Sequence, residues 1–172
     1  MNRAIRCSLL LALVAVAGCR LQESPPPPPP ATPQPNAAAD RAAVDSVLTA
    51  LHQTASAADW DTYFGLYDSN AVFFGTDATE RWSLEQFRGY ASASRGWTYR
   101  MTERNIFLDA GGNTAWFDER LYNDGYGECR GTGVLVKTAT GWKIAQYNLT
   151  FPIPNDLAGE FTAKIKARSG GS

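Results

Sequence analysis

Histidine is almost missing from this chain: His52 is the only one among 172 residues, and there are only three cysteines. With one histidine and no closely spaced pair of cysteines, the four Cys or His ligands of a structural zinc site are not expected to come together, and no cofactor is expected. Positive charge is also in short supply, with 16 Lys and Arg against 17 Asp and Glu. No basic stripe is available to hold nucleic acid, which is excluded as a partner. No apolar run reaches the ~20 residues that cross a bilayer as a helix. Proline is rare outside one short tract, since eight of the ten lie between Pro25 and Pro35, and the twenty aromatic residues all fall between Trp60 and Phe161. One aromatic-rich core in the second part of the chain follows, and no internal repeat is present.

The residues before that core read as an address. Arg3 and Arg6 precede the apolar run Leu9 to Ala17, the pattern of a secretory signal that is removed and does not fold. The run closes as Val16-Ala17-Gly18-Cys19, which resembles the bacterial lipobox. That resemblance implies cleavage after residue 18 and a diacylglyceryl group on Cys19, a membrane anchor held by more than one acyl chain. The alternative is an ordinary signal cut after Ala17 or Gly18, leaving a free thiol. Residue 20 is Arg, and not the Asp that holds such lipoproteins at the inner membrane. The expected location is therefore the cell envelope, at the outer membrane facing the periplasm.

Loss of residues 1–18 takes Arg3 and Arg6 with it and leaves 14 basic against 17 acidic residues, a net charge of −3. It also removes Cys7, and with Cys19 lipidated, Cys129 has no disulfide partner. The prolines have no amide hydrogen and a fixed φ, which excludes helix and sheet and favours polyproline II. Eleven such residues reach about 34 Å at about 3.1 Å each. The expected organisation is a signal at 1–18, a lipidated cysteine and proline-rich tether at 19–37, one domain at 38–168, and a short tail at 169–172.

Within that domain, Asp40 is placed to cap a helix running to about Ala57, with Val44, Val47, Leu48 and Leu51 on one stripe. Asp59 caps a second helix, DWDTYFGLY, and Ala71 to Phe74 reads as a short strand. Ser83 caps a third helix, SLEQFRGYASAS, which stops by Gly96. Beyond Trp97 the pattern becomes strands: Thr98 to Leu108, Thr114 to Tyr122, Gly127 to Thr138 and Trp142 to Phe151. Short Gly-, Asn- and Asp-rich connections join them as antiparallel hairpins. Asp156 opens a terminal helix with Leu157, Phe161 and Ile165 on one side. Helices followed by a meander make an α+β fold.

Three stretches carry a family resemblance: FFGTDATERW (Phe73 to Trp82), WFDERLY (Trp116 to Tyr122) and GWKIAQYNLTFPIPND (Gly141 to Asp156). Together with the element order they resemble the SnoaL-like, nuclear-transport-factor-2-like and ketosteroid-isomerase-like superfamily over about residues 40–156. That resemblance implies a cone-shaped, cystatin-like fold, three N-terminal helices packed on a strongly bent antiparallel sheet. It implies no single activity, because such folds include isomerases, cyclases, dehydratases and hydrolases as well as binding and dimerisation modules. Where the resemblance implies a histidine in the closing strand, this chain has Asn148, which cannot act as a base near neutral pH.

Candidate site residues come from strand periodicity. On Thr114 to Tyr122 the apolar set Ala115, Phe117 and Leu121 should face the helices, which puts Glu119 inside with them. A carboxylate there needs a partner or a raised pKa, so Glu119 is either a general base or a structurally paired acid. Arg130, on the next strand, is its expected partner. In the closing strand Gln146, Asn148 and Thr150 alternate with Ala145, Tyr147, Leu149 and Phe151, so Tyr147 and Asn148 are rival pocket residues. Tyr63, Phe64, Tyr67 and Trp82 line either a cavity mouth or the core. Trp116 and Tyr122, on the outer face, suit a homodimer interface. His52 reads as an ordinary helical side chain, and Cys129 as a small buried apolar residue. The expected function is binding of a small amphipathic ligand in the cone. The alternatives are an isomerase or dehydratase working through Glu119 and a dimeric interaction module.

Overall fold

The structure, a computed structural model, describes residues 36–169. The expected signal peptide, Cys19, the proline tether as far as Pro35 and the last three residues lie outside the described residues. The elements are α1 (Ala37–Ala57), α2 (Trp60–Gly65), β1 (Tyr67–Phe74), β2 (Arg81–Ser83), α3 (Leu84–Ser92), β3 (Arg100–Leu108), β4 (Thr114–Asn123), β5 (Gly127–Thr138), β6 (Gly141–Thr150) and α4 (Ala158–Ser169). The fold class is α+β as expected, with helices on one six-stranded sheet that curls without closing. Strand order is β2-β1-β6-β5-β4-β3. Each neighbouring pair is antiparallel except β1 beside β6, which is parallel.

Local chemistry explains the helix ends, with one correction. Ser83 caps α3 by a reciprocal box with Gln86, satisfying two amide donors at once. Asp59 caps α2, accepting from the Thr62 amide. Asp40, however, does not cap α1: Asn36 does, accepting from Ala39 N at 3.2 Å. Asp40 lies one turn inside the helix and is only 6% exposed. Its Oδ1 accepts from Lys137 Nζ at 2.6 Å and from Trp142 Nε1 at 3.2 Å. A carboxylate bound to an ammonium and an indole N–H across the domain is worth more there than at a solvated helix end. The second helix is shorter than expected, stopping at Gly65, and Tyr67 already belongs to β1.

The core lies between the inner sheet face and α1 to α3, built from Val44, Leu48 and Leu51 of α1, Phe87 of α3, and Phe117, Leu135 and Ile144 of the sheet. Helix α4 follows Pro152 and Pro154 as expected, but Leu157, Phe161 and Ile165 stay 39 to 57% exposed. No helix among the described residues is long and apolar enough to cross a membrane.

Three ladders carry register shifts, and two of them bear on which side chains point inward. Between β5 and β6, Val134 pairs with Gln146 and Leu135 with Ile144, so Ala145 is an extra residue. A single bulged residue reverses the alternation of everything after it. Trp142 and Ile144 therefore share the inner face with Tyr147 and Leu149, and not with Gln146 and Asn148 as strict alternation would have it. A second shift, between Met101 and Glu103, makes Thr102 the extra residue on β3.

Candidate functional site

Glu119 is buried on β4, 1% exposed, as strand periodicity indicates. Three side chains from three other elements converge on it. His52 of α1 meets Oε1 through Nε2 at 2.8 Å, and Tyr147 of β6 donates its hydroxyl to the same oxygen at 2.9 Å. Arg104 of β3 stands directly opposite Glu119 in the ladder and donates Nε to Oε2 at 2.8 Å. The guanidinium Nη1 continues to Asp45 Oδ1 at 2.8 Å and Thr49 Oγ1 at 3.1 Å on α1. Arg104 Nη2 lies 2.8 Å from Glu119 Oε2 but is buried without an aligned acceptor.

Room for this cluster comes from a missing side chain. Gly131 faces Glu119 in the β4–β5 register. A Cβ at that position would sit 2.4 Å from the Tyr147 hydroxyl oxygen and 2.7 Å from Glu119 Oε1. Any larger residue would push the carboxylate and the phenol apart.

Burial by itself would raise the Glu119 pKa, but it is outweighed by the hydrogen bond and charge of His52 and by the Arg104 guanidinium, so the carboxyl sits below its ordinary range. Burial, with the Glu119 charge beside it, drives the Tyr147 phenol well above its ordinary value, and the phenol stays a neutral donor. Because ionised Glu119 is only an acceptor, His52 Nε2 carries the proton in that bond. In the neutral ring Nδ1 is then the acceptor, and it has no hydrogen-bond partner among the described residues.

His52 and Tyr147 connect this cluster to an open cavity of about 270 Å³, lined by residues of α1, α2, α3 and the inner sheet face and by the loops beside them. Tyr63 lines it and shares a hydrogen bond of 3.0 Å with Tyr67, hydroxyl to hydroxyl. Trp82 lines it too, from β2, opposite Phe73. Burial pushes the lining Tyr99 up to about 12. Glu119 itself does not line the cavity. It stands behind the wall and acts on it through His52 and Tyr147.

The other candidates fall elsewhere. Arg130 does not meet Glu119: it pairs across from Arg120, is exposed, and lines an outer cleft of about 230 Å³ with Glu103, Arg120 and Glu128. Parity explains the correction, because the residue opposite Glu119 is Gly131 and its neighbour Arg130 must point to the other face. Asn148 is half-buried on the outer side, opposite Thr132, and does not line the cavity. Phe64 and Tyr67 pack in the core. Trp116 and Tyr122 are on the outer face, 46% and 40% exposed, with Trp116 stacked on Phe107 at 5.8 Å. Cys129 is a free buried cysteine whose thiol is raised by desolvation.

In the Glu119 cluster, His52 is not the ordinary helical side chain expected and Arg104 is not among the expected site residues, and each left a trace in the sequence. Leu48, Leu51, His52 and Ala55 are spaced i, i+3, i+4 and i+7, which sets His52 on the buried stripe of α1. Arg104, Ile106 and Leu108 alternate on one face of β3, which sets Arg104 inward. Among the described residues no three His, Cys, Asp or Glu side chains are placed to hold a metal ion.

Helices packed into a curled, open sheet, with a polar cluster behind an aromatic cavity, define the cone-shaped class of α+β domains that the family resemblance implies. The chain belongs to the SnoaL-like domain family, whose profile matches residues 44–154. Solved structures agree on the fold. A protein of unknown function from Pectobacterium atrosepticum is 18% identical, with 67% of this chain and 93% of that one covered at a TM-score of 0.59. An NTF2-like family protein from Streptomyces avermitilis, provisionally named a dehydratase, is 14% identical, covering 69% and 99% at 0.59. An NTF2-like protein with a cystatin-like fold from Novosphingobium aromaticivorans is 11% identical, covering 72% and 89% at 0.58. Among curated proteins nothing matches the chain.

Proposed function

We propose that this SnoaL-like domain binds a small amphipathic molecule in its cavity, at the cell envelope to which lipidated Cys19 would tether it. The observation that supports this reading is the cavity itself, about 270 Å³ with aromatic walls and with the polar tips of His52, Tyr63 and Tyr147 among its lining. Ligand sites commonly combine aromatic walls with a few fixed polar groups that set orientation. The test is native mass spectrometry of the chain purified from its own host, together with equilibrium dialysis. A carried-along small molecule lost on substitution of Trp82 or Tyr63 would support binding, and an empty protein that takes up no hydrophobic probe would overturn it. For the address, cell fractionation should find the chain with membranes and Cys19→Ser in the soluble fraction; equal partitioning would overturn the anchor.

A second reading, acid–base catalysis of the isomerase or dehydratase type, is favoured by one contact. His52 lines the cavity with Nε2 held by Glu119 at 2.8 Å, which leaves Nδ1 as the acceptor for a substrate proton. In this reading Glu119 is a positioning residue and His52 the group that reaches substrate. The provisional dehydratase naming of the Streptomyces avermitilis protein is consistent with it. Metabolite profiling that shows an isomerised or dehydrated product, lost in His52→Gln, would support turnover. Unchanged product formation in that variant would remove it.

A further inference from the structure

Ten of the nineteen residues lining the cavity are aromatic, and the only formal charge among them, apart from titratable His52, is the carboxylate of Glu80. No Lys or Arg lines it. The buried cation of the Glu119 cluster, Arg104, is already paired with Glu119 and Asp45 at 2.8 Å each. Glu80 is on the turn between β1 and β2 and makes no ion pair among the described residues. Its Oε2 accepts one backbone amide, that of Asp77, at 3.1 Å. Gly75 makes room for that carboxylate, since a Cβ there would be 2.1 Å from Oε2.

The rings nearby are equally uncommitted. Trp82 contacts Tyr90 at 4.8 Å and Tyr90 contacts Trp97 at 6.5 Å, making a continuous aromatic wall. Across the lining, Tyr126 stacks on Phe151 at 4.6 Å. Five cation–π contacts occur among the described residues, and they use Phe74, Phe64, Tyr122, Trp142 and Phe161, none of which lines the cavity. An anion entering this cavity meets a carboxylate and electron-rich rings, and the one imidazole on the wall, His52, already has its Nε2 on Glu119 at 2.8 Å. A cation meets attractive π-systems and a counter-charge.

We propose that the cavity selects molecules bearing a quaternary or protonated amine on an apolar body, with the ammonium held against the Trp82–Tyr90–Trp97 wall and Glu80 as its counter-charge. This rests on the cavity being a ligand site and adds the charge of what it takes. The test titrates the full chain carrying Cys19→Ser with benzyltrimethylammonium, its uncharged carbon isostere neopentylbenzene, and phenylmethanesulfonate, read by tryptophan fluorescence and calorimetry. The cation should bind at least about tenfold more tightly than the isostere, and the sulfonate should not bind. Glu80→Gln should remove most of that preference while leaving the affinity for neopentylbenzene unchanged. Should that variant fail to fold, the rank order in the chain with Glu80 intact decides alone. Equal or tighter binding of the isostere or the sulfonate would overturn the charge preference but leave the ligand site standing. Absence of binding by all three, with native mass spectrometry also finding an empty cavity, would overturn both.

Discussion

Arg104 and Glu119 stand directly opposite one another in the β3–β4 ladder, and Arg104 Nε reaches Glu119 Oε2 at 2.8 Å with both side chains essentially closed to water. Two opposite charges have been taken out of solvent together, so removing either leaves the other uncompensated. Glu119→Ala should lower unfolding free energy by about 3–5 kcal/mol. Denaturant titration measures it, and a loss within about 0.5 kcal/mol, the range of an ordinary surface substitution, would contradict the pairing.

Tyr147→Phe removes one donor from Glu119 Oε1 while keeping the ring stacked on Phe73 and against Phe117. A hydrogen bond to a charged acceptor is worth about 1.5–3 kcal/mol, so a loss in that range is expected from chemical denaturation. The shape of the cavity should be unchanged in a crystal structure of the variant.

Acid should act through the same carboxylate. The Glu119 pKa is held below its ordinary range in the folded chain, so unfolded chain binds the proton first as pH falls. The stabilisation is fully present above the unfolded value near 4.3 and is lost as pH drops through the lower folded value. Asp40, lowered by Lys137 against an opposing desolvation, works in the same direction. Unfolding midpoints of the unsubstituted chain should fall below about pH 5, and Glu119→Gln should show a flatter profile. Identical profiles would count against the assigned linkage.

Gly131→Val should be worse than an ordinary sheet substitution, although valine favours strands. Its Cβ would overlap the Tyr147 hydroxyl and Glu119 Oε1. Overpacking of this kind costs about 1–3 kcal/mol, to which the displaced Glu119 contacts add. Thermal unfolding against Gly127→Val, where a Cβ meets nothing but φ is positive at 74°, separates crowding from backbone strain.

Cys129 is 2% exposed, and its thiol is raised by desolvation. It should react with a thiol reagent only slowly in the folded chain and fully once denatured, because the thiolate is the reactive form. Rapid native-state labelling would show that the inner face at β5 opens more readily than its packing indicates.

What the sequence by itself determined is which positions are inside. Period-two spacing on β4 buried Glu119, period 3.6 on α1 put Leu48, Leu51 and Ala55 on the core side, and the capping residues Asp59 and Ser83 set two helix starts. The same rules carried His52 and Arg104 inward, although only their meeting with Glu119 gives that placement a consequence. Tertiary structure alone decided the partners. Arg130, one residue out of phase, could not reach Glu119, and the extra residue at Ala145 turned Tyr147 inward and Asn148 outward. The physical reason is that side-chain alternation is a local property of each strand. Register and bulges, in contrast, are settled between strands, where a buried carboxylate accepts whichever cation and donors the packed domain brings within hydrogen-bond reach.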